Sequence, residues 1–147
     1  MDTGIYTITI DDKGRFLFPN KMRKNIEDGN YVLTYAVDKC LQIITLKEFD
    51  SIKNALLKDS NPMLRKANRN MLRRFVAPAV EVSLDKSGRL SIPRALRDDV
   101  GLYCKSEGLL LNAGPFIEIW GLANYRLMND NLDIEEASLE LFNKINK

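Results

Sequence analysis

Tyr6, Ile8 and Ile10 alternate with Thr7 and Thr9, a period of two that predicts a strand with one buried face. Asp11-Asp12-Lys13-Gly14 follows with turn chemistry, since aspartate can bond its own backbone two residues on and glycine takes positive φ without penalty. Strand character resumes over Arg15-Phe16-Leu17-Phe18, and Pro19 suits the start of a short helix over Asn20 to Asn25, which Glu27-Asp28-Gly29-Asn30 ends. Two more strands are predicted, Tyr31 to Val37 and Leu41 to Leu46, joined through Asp38-Lys39-Cys40. Leu46, Phe49, Ile52 and Leu56 then recur at helical spacing. Asp59-Ser60-Asn61-Pro62 offers a cap and a proline start for a further helix with Leu64, Ala67, Met71 and Phe75 as its apolar stripe.

The order then repeats. Strands are predicted over Val80 to Leu84 and Arg89 to Ile92, a helix over Pro93 to Asp98, and strands over Gly108 to Asn112 and Phe116 to Trp120. Ile8 to Arg23 aligns without a gap on Val82 to Arg97, placing Asp11 on Asp85, Gly14 on Gly88, Arg15 on Arg89, Pro19 on Pro93 and Arg23 on Arg97. The shift is 74 residues there and 76 where Leu41-Gln42-Ile43 meets Ile117-Glu118-Ile119, so two residues are inserted between helix and last strand. An internal repeat decides the architecture before anything else does. The last segments are a short helix near Leu122 to Met128 and one after Asp133, where Glu136 completes a capping box and Ile134, Ala137, Leu141 and Ile145 share a face.

Each β-β-α-β-β unit has open edges and too little apolar surface to stand alone. Two units can cover each other by interleaving their hairpins around a pseudo-twofold axis. The expected class is α+β, mostly β with short helices, in one body. The expected parts are a first unit over 4–50, a helical connection over 51–78, a second unit over 79–123 and a helical tail over 124–147.

Composition narrows function by exclusion. The 147 residues are 45% hydrophobic and 29% charged, and no apolar run approaches the roughly 20 residues that span a bilayer. The first residues lack the basic and apolar segments of a signal peptide, so a cytoplasmic protein is expected. There is no histidine, which removes Ser/His/Asp and Cys/His triads and the usual zinc sites. No metal or cofactor is expected, and Cys40 and Cys104 are expected as small buried hydrophobes. Asp11, Asp12 and Asp85 lie beside basic residues that would keep them ionised, which argues against an enzyme built on them.

Net charge is +2, but residues 1–78 carry +5 and residues 79–147 carry −3, so an anionic partner would meet the first half. Lys13, at a turn tip with nothing to pack on, is the cleanest candidate for a phosphate contact. Asp11 with Arg15, and Asp85 with Arg89, can instead be ion pairs that staple each hairpin, and Gly14 and Gly88 read as backbone requirements. Arg23 and Arg97 end short helices, where a cation meets the dipole favourably. Arg65, Arg69 and Arg73, with Lys66 and Arg74 beside them, read as a solvated face or one paired with a neighbouring subunit before they read as a nucleic-acid site.

The pattern Asp-x-x-Gly-Arg-x-x-x-Pro-x-x-x-Arg resembles the swapped-hairpin AbrB family of bacterial DNA-binding proteins. Two copies, separated by a helical segment ending in RRFVAPAVEVSLDKSGRLSIPRALR, resemble the MraZ family of regulators associated with the bacterial division and cell-wall gene cluster. The resemblance runs from about Gly4 to Trp120 and implies a nucleoid-associated transcriptional regulator. Its partners would be double-stranded DNA with repeated promoter elements and further copies of itself in a ring. It places Lys13, Arg15, Lys21, Arg23 and Lys24 at the DNA, and leaves Asp85, Gly88 and Arg89 mainly as scaffold and assembly surface. Phe16 and Phe18 are bulkier than is usual there. The other reading is an AbrB-type antitoxin that sequesters a toxin and binds DNA secondarily, though such proteins are expected to carry one unit and an acidic disordered tail.

Overall fold

The computed structural model describes residues 3–26, 29–58, 61, 63 and 65–146. The first half contributes β1 (Gly4–Thr9), β2 (Arg15–Leu17), α1 (Asn20–Ile26), β3 (Tyr31–Tyr35) and β4 (Leu41–Thr45). The second contributes β5 (Val80–Glu81), β6 (Arg89–Ser91), α4 (Arg94–Val100), β7 (Glu107–Asn112) and β8 (Ile117–Gly121). Between them run α2 (Leu46–Lys58) and α3 (Lys66–Met71), and after them α5 (Leu122–Asp130) and α6 (Ile134–Ile145).

The two halves exchange strands. A six-stranded antiparallel sheet has the order β1-β7-β8-β4-β3-β5, and β2 pairs with β6 in a separate ribbon. The opening strand of each half therefore lies on the third strand of the other, β1 on β7 and β5 on β3. Phe16 stands opposite Leu90, and Gln42 opposite Glu118. Each of these pairs joins equivalent positions of the two copies, so a pseudo-twofold axis passes through the middle of the ribbon and the middle of the sheet. This α+β arrangement is the interleaved one that the repeat predicts.

Register refines the insertion. Thr7 and Glu81 are equivalent and face Leu109 and Val32, so β3 and β7 are related by 77 residues, not 76. Three residues enter before β7 and one leaves the following hairpin turn, which Ala36 N–H closes on the Cys40 carbonyl in the first half and Ala113 N–H on the Phe116 carbonyl in the second.

The main core lies between the sheet and the layer of ribbon, α1 and α4. It gathers Ile8, Ile10, Phe16, Phe18, Met22 and Ile26 with Val82, Leu90, Ile92, Leu96 and Val100 from the other copy, under Leu33, Leu41, Leu110 and Ile119 of the sheet. A smaller cluster of Ala36, Cys40 and Trp120 lies under Tyr125 and Met128 of α5. Ile119 and Trp120 are neighbours on one strand and join different clusters, so these cover opposite faces of the sheet.

Several expectations change. Val37, expected in a strand, is an exposed turn residue, and β5 stops at Glu81, leaving Leu84 a single bridge to Leu90. Cys40 is buried, whereas Cys104 is exposed, in the segment between α4 and β7 that holds the three-residue insertion. Past Met71 the helix widens by one residue per turn over Leu72–Val76, with Ala77 N–H reaching the Leu72 carbonyl. In its expected apolar stripe only Phe75 is buried while Ala67 and Met71 are exposed, and Asp59, Ser60, Pro62 and Leu64 lie outside the described residues, as do Glu27 and Asp28 of the expected helix stop. The Asp133 cap forms, its side chain accepting from Glu136 N–H, yet α6 packs on nothing in the monomer: Ile134, Leu141, Phe142 and Ile145 are all exposed. No helix among the described residues is long and apolar enough to cross a membrane.

Candidate nucleic-acid interface

The two Asp-x-x-Gly-Arg turns are built alike. In the first, one Asp11 carboxylate oxygen accepts from the backbone N–H groups of Lys13 (2.9 Å) and Arg15 (2.8 Å), and the other accepts from Arg15 Nε at 2.9 Å. In the second, Asp85 accepts from Ser87 N–H, Arg89 N–H and Arg89 Nε, all at 2.9 Å. The stapling ion pair expected from the four-residue spacing is present in both copies. The Arg15 N–H bond, then those of Lys13 N–H and the Arg15 guanidinium, hold the Asp11 carboxyl below its ordinary value against partial desolvation. Asp85 is lowered in the same way, chiefly by Arg89 N–H. Both carboxylates are therefore ionised structural acceptors, unsuited to proton transfer near neutrality.

The turns are brought together by the β2–β6 ribbon. Phe16 and Leu90 point into the core, so Arg15, Leu17, Arg89 and Ser91 occupy the outward face. Arg15 Nη1 lies 4.0 Å from Asp85 Oδ2, linking the two staples across the axis. Lys13 stands exposed at the tip of the first turn, and Lys21 and Lys24 are exposed on α1. The result is a rim of cations around a two-stranded ribbon, a shape that can meet a phosphate backbone and enter a major groove.

Arg23 differs from the others in the expected set. Its side chain folds back from α1, Nε donating to the Phe18 carbonyl at 2.9 Å, and its guanidinium lies against Gly88 of the other copy. The helix-dipole role expected for Arg23 and Arg97 is thus replaced by a bond to a carbonyl before the helix start, because Arg97 Nε donates likewise to the Ile92 carbonyl. Two side chains beside the first turn were not anticipated for it: Arg97, and Cys104, whose Sγ lies 3.6 Å from the Asp12 carbonyl. The signal available for Arg97 was that glycine and arginine recur together in both copies at one spacing.

The arginine stripe along α3 and the widened turn after it is held within the chain where its bonds are described. Arg73 bonds Asn70, Arg69 reaches the Met63 carbonyl, and Arg74 stacks 4.0 Å over the Tyr35 ring while pairing with Asp99. Among the described residues no group of three or more Cys, Asp or Glu side chains is placed to hold a metal.

Comparison with known proteins agrees with this architecture. The model of a family described as MraZ protein, antitoxin-like, matches twice, over residues 1–74 and 75–143. A protein of Treponema denticola named transcriptional regulator MraZ is 36% identical over 138 residues, covering 92% of this chain and 94% of its own length. Proteins of the same name from Treponema pallidum and Caldicellulosiruptor bescii are 35% and 33% identical, over 84% and 94% of this chain and 81% and 94% of their own lengths. With both halves matched and relatives aligned over nearly the whole length, the chain belongs to the MraZ family.

Proposed function

We infer that the chain is a sequence-specific DNA-binding transcriptional regulator acting in the cytoplasm at the nucleoid, and not an enzyme. The observation that carries this reading is the pair of clamped turns flanking one outward-facing ribbon, with Lys13, Arg15, Lys21 and Lys24 around it. The regulator name of the relatives supports it. Arg15 is the central contact: Asp11 orients its Nε, Asp85 stands 4.0 Å from its Nη1, and the fork so held presents its outer edge to a phosphate or a guanine. Several subunits, assembled in a ring, engage successive repeats in the promoter of a division and cell-wall gene cluster that includes the regulator's own gene. Linked weak contacts of this kind gain affinity by about 10² to 10⁴ when spacing matches.

Footprinting on the DNA upstream of the chain's own gene tests this. Protected repeats at regular spacing are expected. Arg15→Ala should abolish protection, and Lys13→Ala should lower the slope of log affinity against log salt by about 0.9, one phosphate contact. Unchanged binding by Arg15→Ala overturns the assignment.

A second reading follows from the family's antitoxin-like description and from the uncovered apolar face of α6. In it the chain sequesters a small toxin. Stoichiometric co-purification with a toxin encoded beside it, together with no footprint, would favour that reading.

A further inference from the structure

We propose that Arg97, from the second half, is the positioning residue for the first-half turn that carries Lys13 and Arg15, and that Arg23 serves the second-half turn in exchange. This rests on the reading of the first turn as the DNA contact, and concerns how that turn is held in shape.

The connection closes on itself. Ile92 N–H donates to the Gly14 carbonyl at 3.0 Å, Arg97 Nε donates to the Ile92 carbonyl at 2.9 Å, and the Arg97 guanidinium returns to lie against Gly14. A Cβ on Gly14 would stand 2.6 Å from Arg97 Nε, so a larger residue there would displace the guanidinium from the turn, besides straining the φ of +78°. Arg97 is 8% exposed, and its Nη1 lies 3.3 Å from Cys104 Sγ, which in turn meets the Asp12 carbonyl. Three of these links, Ile92 to Gly14, Arg97 against Gly14 and Cys104 to Asp12, join the second half to the turn at Asp11–Arg15, and the bonds of Arg97 to Ile92 and Cys104 tie them together.

The mirror arrangement is present. Phe18 N–H donates to the Gly88 carbonyl at 2.9 Å, Arg23 Nε donates to the Phe18 carbonyl at 2.9 Å, and a Cβ on Gly88 would stand 2.6 Å from Arg23 Nε. The crossing follows from the strand exchange, because residues just after β2 and β6 meet the opposite turn. It has a functional consequence for the first turn in particular. A buried cation beneath the turn fixes the backbone amides that hold Asp11, and adds positive potential directly behind Lys13 and Arg15.

The test uses the full chain with amide NMR and DNA binding. Arg97→Met keeps the apolar stem and removes the fork. It is expected to shift the amide resonances of Lys13, Gly14 and Arg15, while Arg23→Met shifts those of Gly88 and Arg89. Operator affinity of Arg97→Met should fall by about tenfold, the scale of one charge-assisted hydrogen bond. Leu110→Ala, a core change at least as destabilising, should keep its affinity while folded. If Arg97→Met does not fold, Arg97→Lys gives the same reading, with a charge but no planar fork.

Shifts confined to the variant's own half overturn the crossing whatever the DNA result. Shifts at Lys13 to Arg15 with wild-type affinity, in a protein whose Arg15→Ala form has lost binding, overturn the positioning role. Should Arg15→Ala bind normally, the DNA reading and the positioning role fall together, and the NMR result still decides the crossing.

Discussion

Asp11 and Asp85 each close their own turn with three accepted hydrogen bonds, and both titrate below the ordinary carboxylate value for that reason. Because the folded value is the lower one, their contribution is complete above the unfolded pKa of about 4 and is lost as pH falls through the folded value. Melting temperature should therefore drop below about pH 4, and the double variant Asp11→Asn, Asp85→Asn should show a shallower drop in thermal melts across that range. These staples were legible in the sequence, since an aspartate, a glycine three residues on and an arginine after it are local chemistry. The environment of Arg23 was not. Its partner carbonyl is five residues back and its glycine lies in the other copy, so helix-end reasoning alone assigned it to the dipole.

Elements were legible where a pattern was local, and less so where packing decided. The Asp133 cap and the strand alternation of β1 follow from neighbours in the chain. The widened turn over Leu72–Val76 does not, and its one described bond to the sheet is long-range: Thr34 Oγ1, 1% exposed, donates to the Phe75 carbonyl at 2.7 Å. Thr34→Val keeps the shape and removes the donor, and should destabilise the fold by about 1 to 3 kcal/mol in urea titration. The apolar stripes of α2 and α6 give a helix without giving its burial. Both helices form, but neither has a buried residue in the monomer, so helical period reports an amphipathic face without saying what covers it.

At the scale of the molecule, the repeat announced two equivalent units, and the edge problem of each unit made interleaving the expected solution. Which strand would meet which could not be read, because β1 and β7 are about a hundred residues apart and their register depends on a three-residue insertion that sequence alignment saw only as a net two. The exchange makes the halves mutually dependent. Residues 1–74 alone lack β7 beside β1, and Arg97 beneath Gly14. Each half expressed separately should be unfolded or self-associated by circular dichroism and gel filtration. Mixing the two should restore a folded one-to-one complex.

Where two identical subunits meet on a twofold axis, any residue at the axis faces its own copy and must tolerate itself. Joining the copies in one chain lifts that restriction. Phe16 faces Leu90, a large ring against a smaller branch, and Gln42 faces Glu118, where two glutamates would set like charges opposite each other. The same freedom extends to the turn tips, where Lys13 of one copy corresponds to Ser87 of the other. The covalent link thus allows one scaffold to carry two different tips, at residues that a homodimer could not have varied independently.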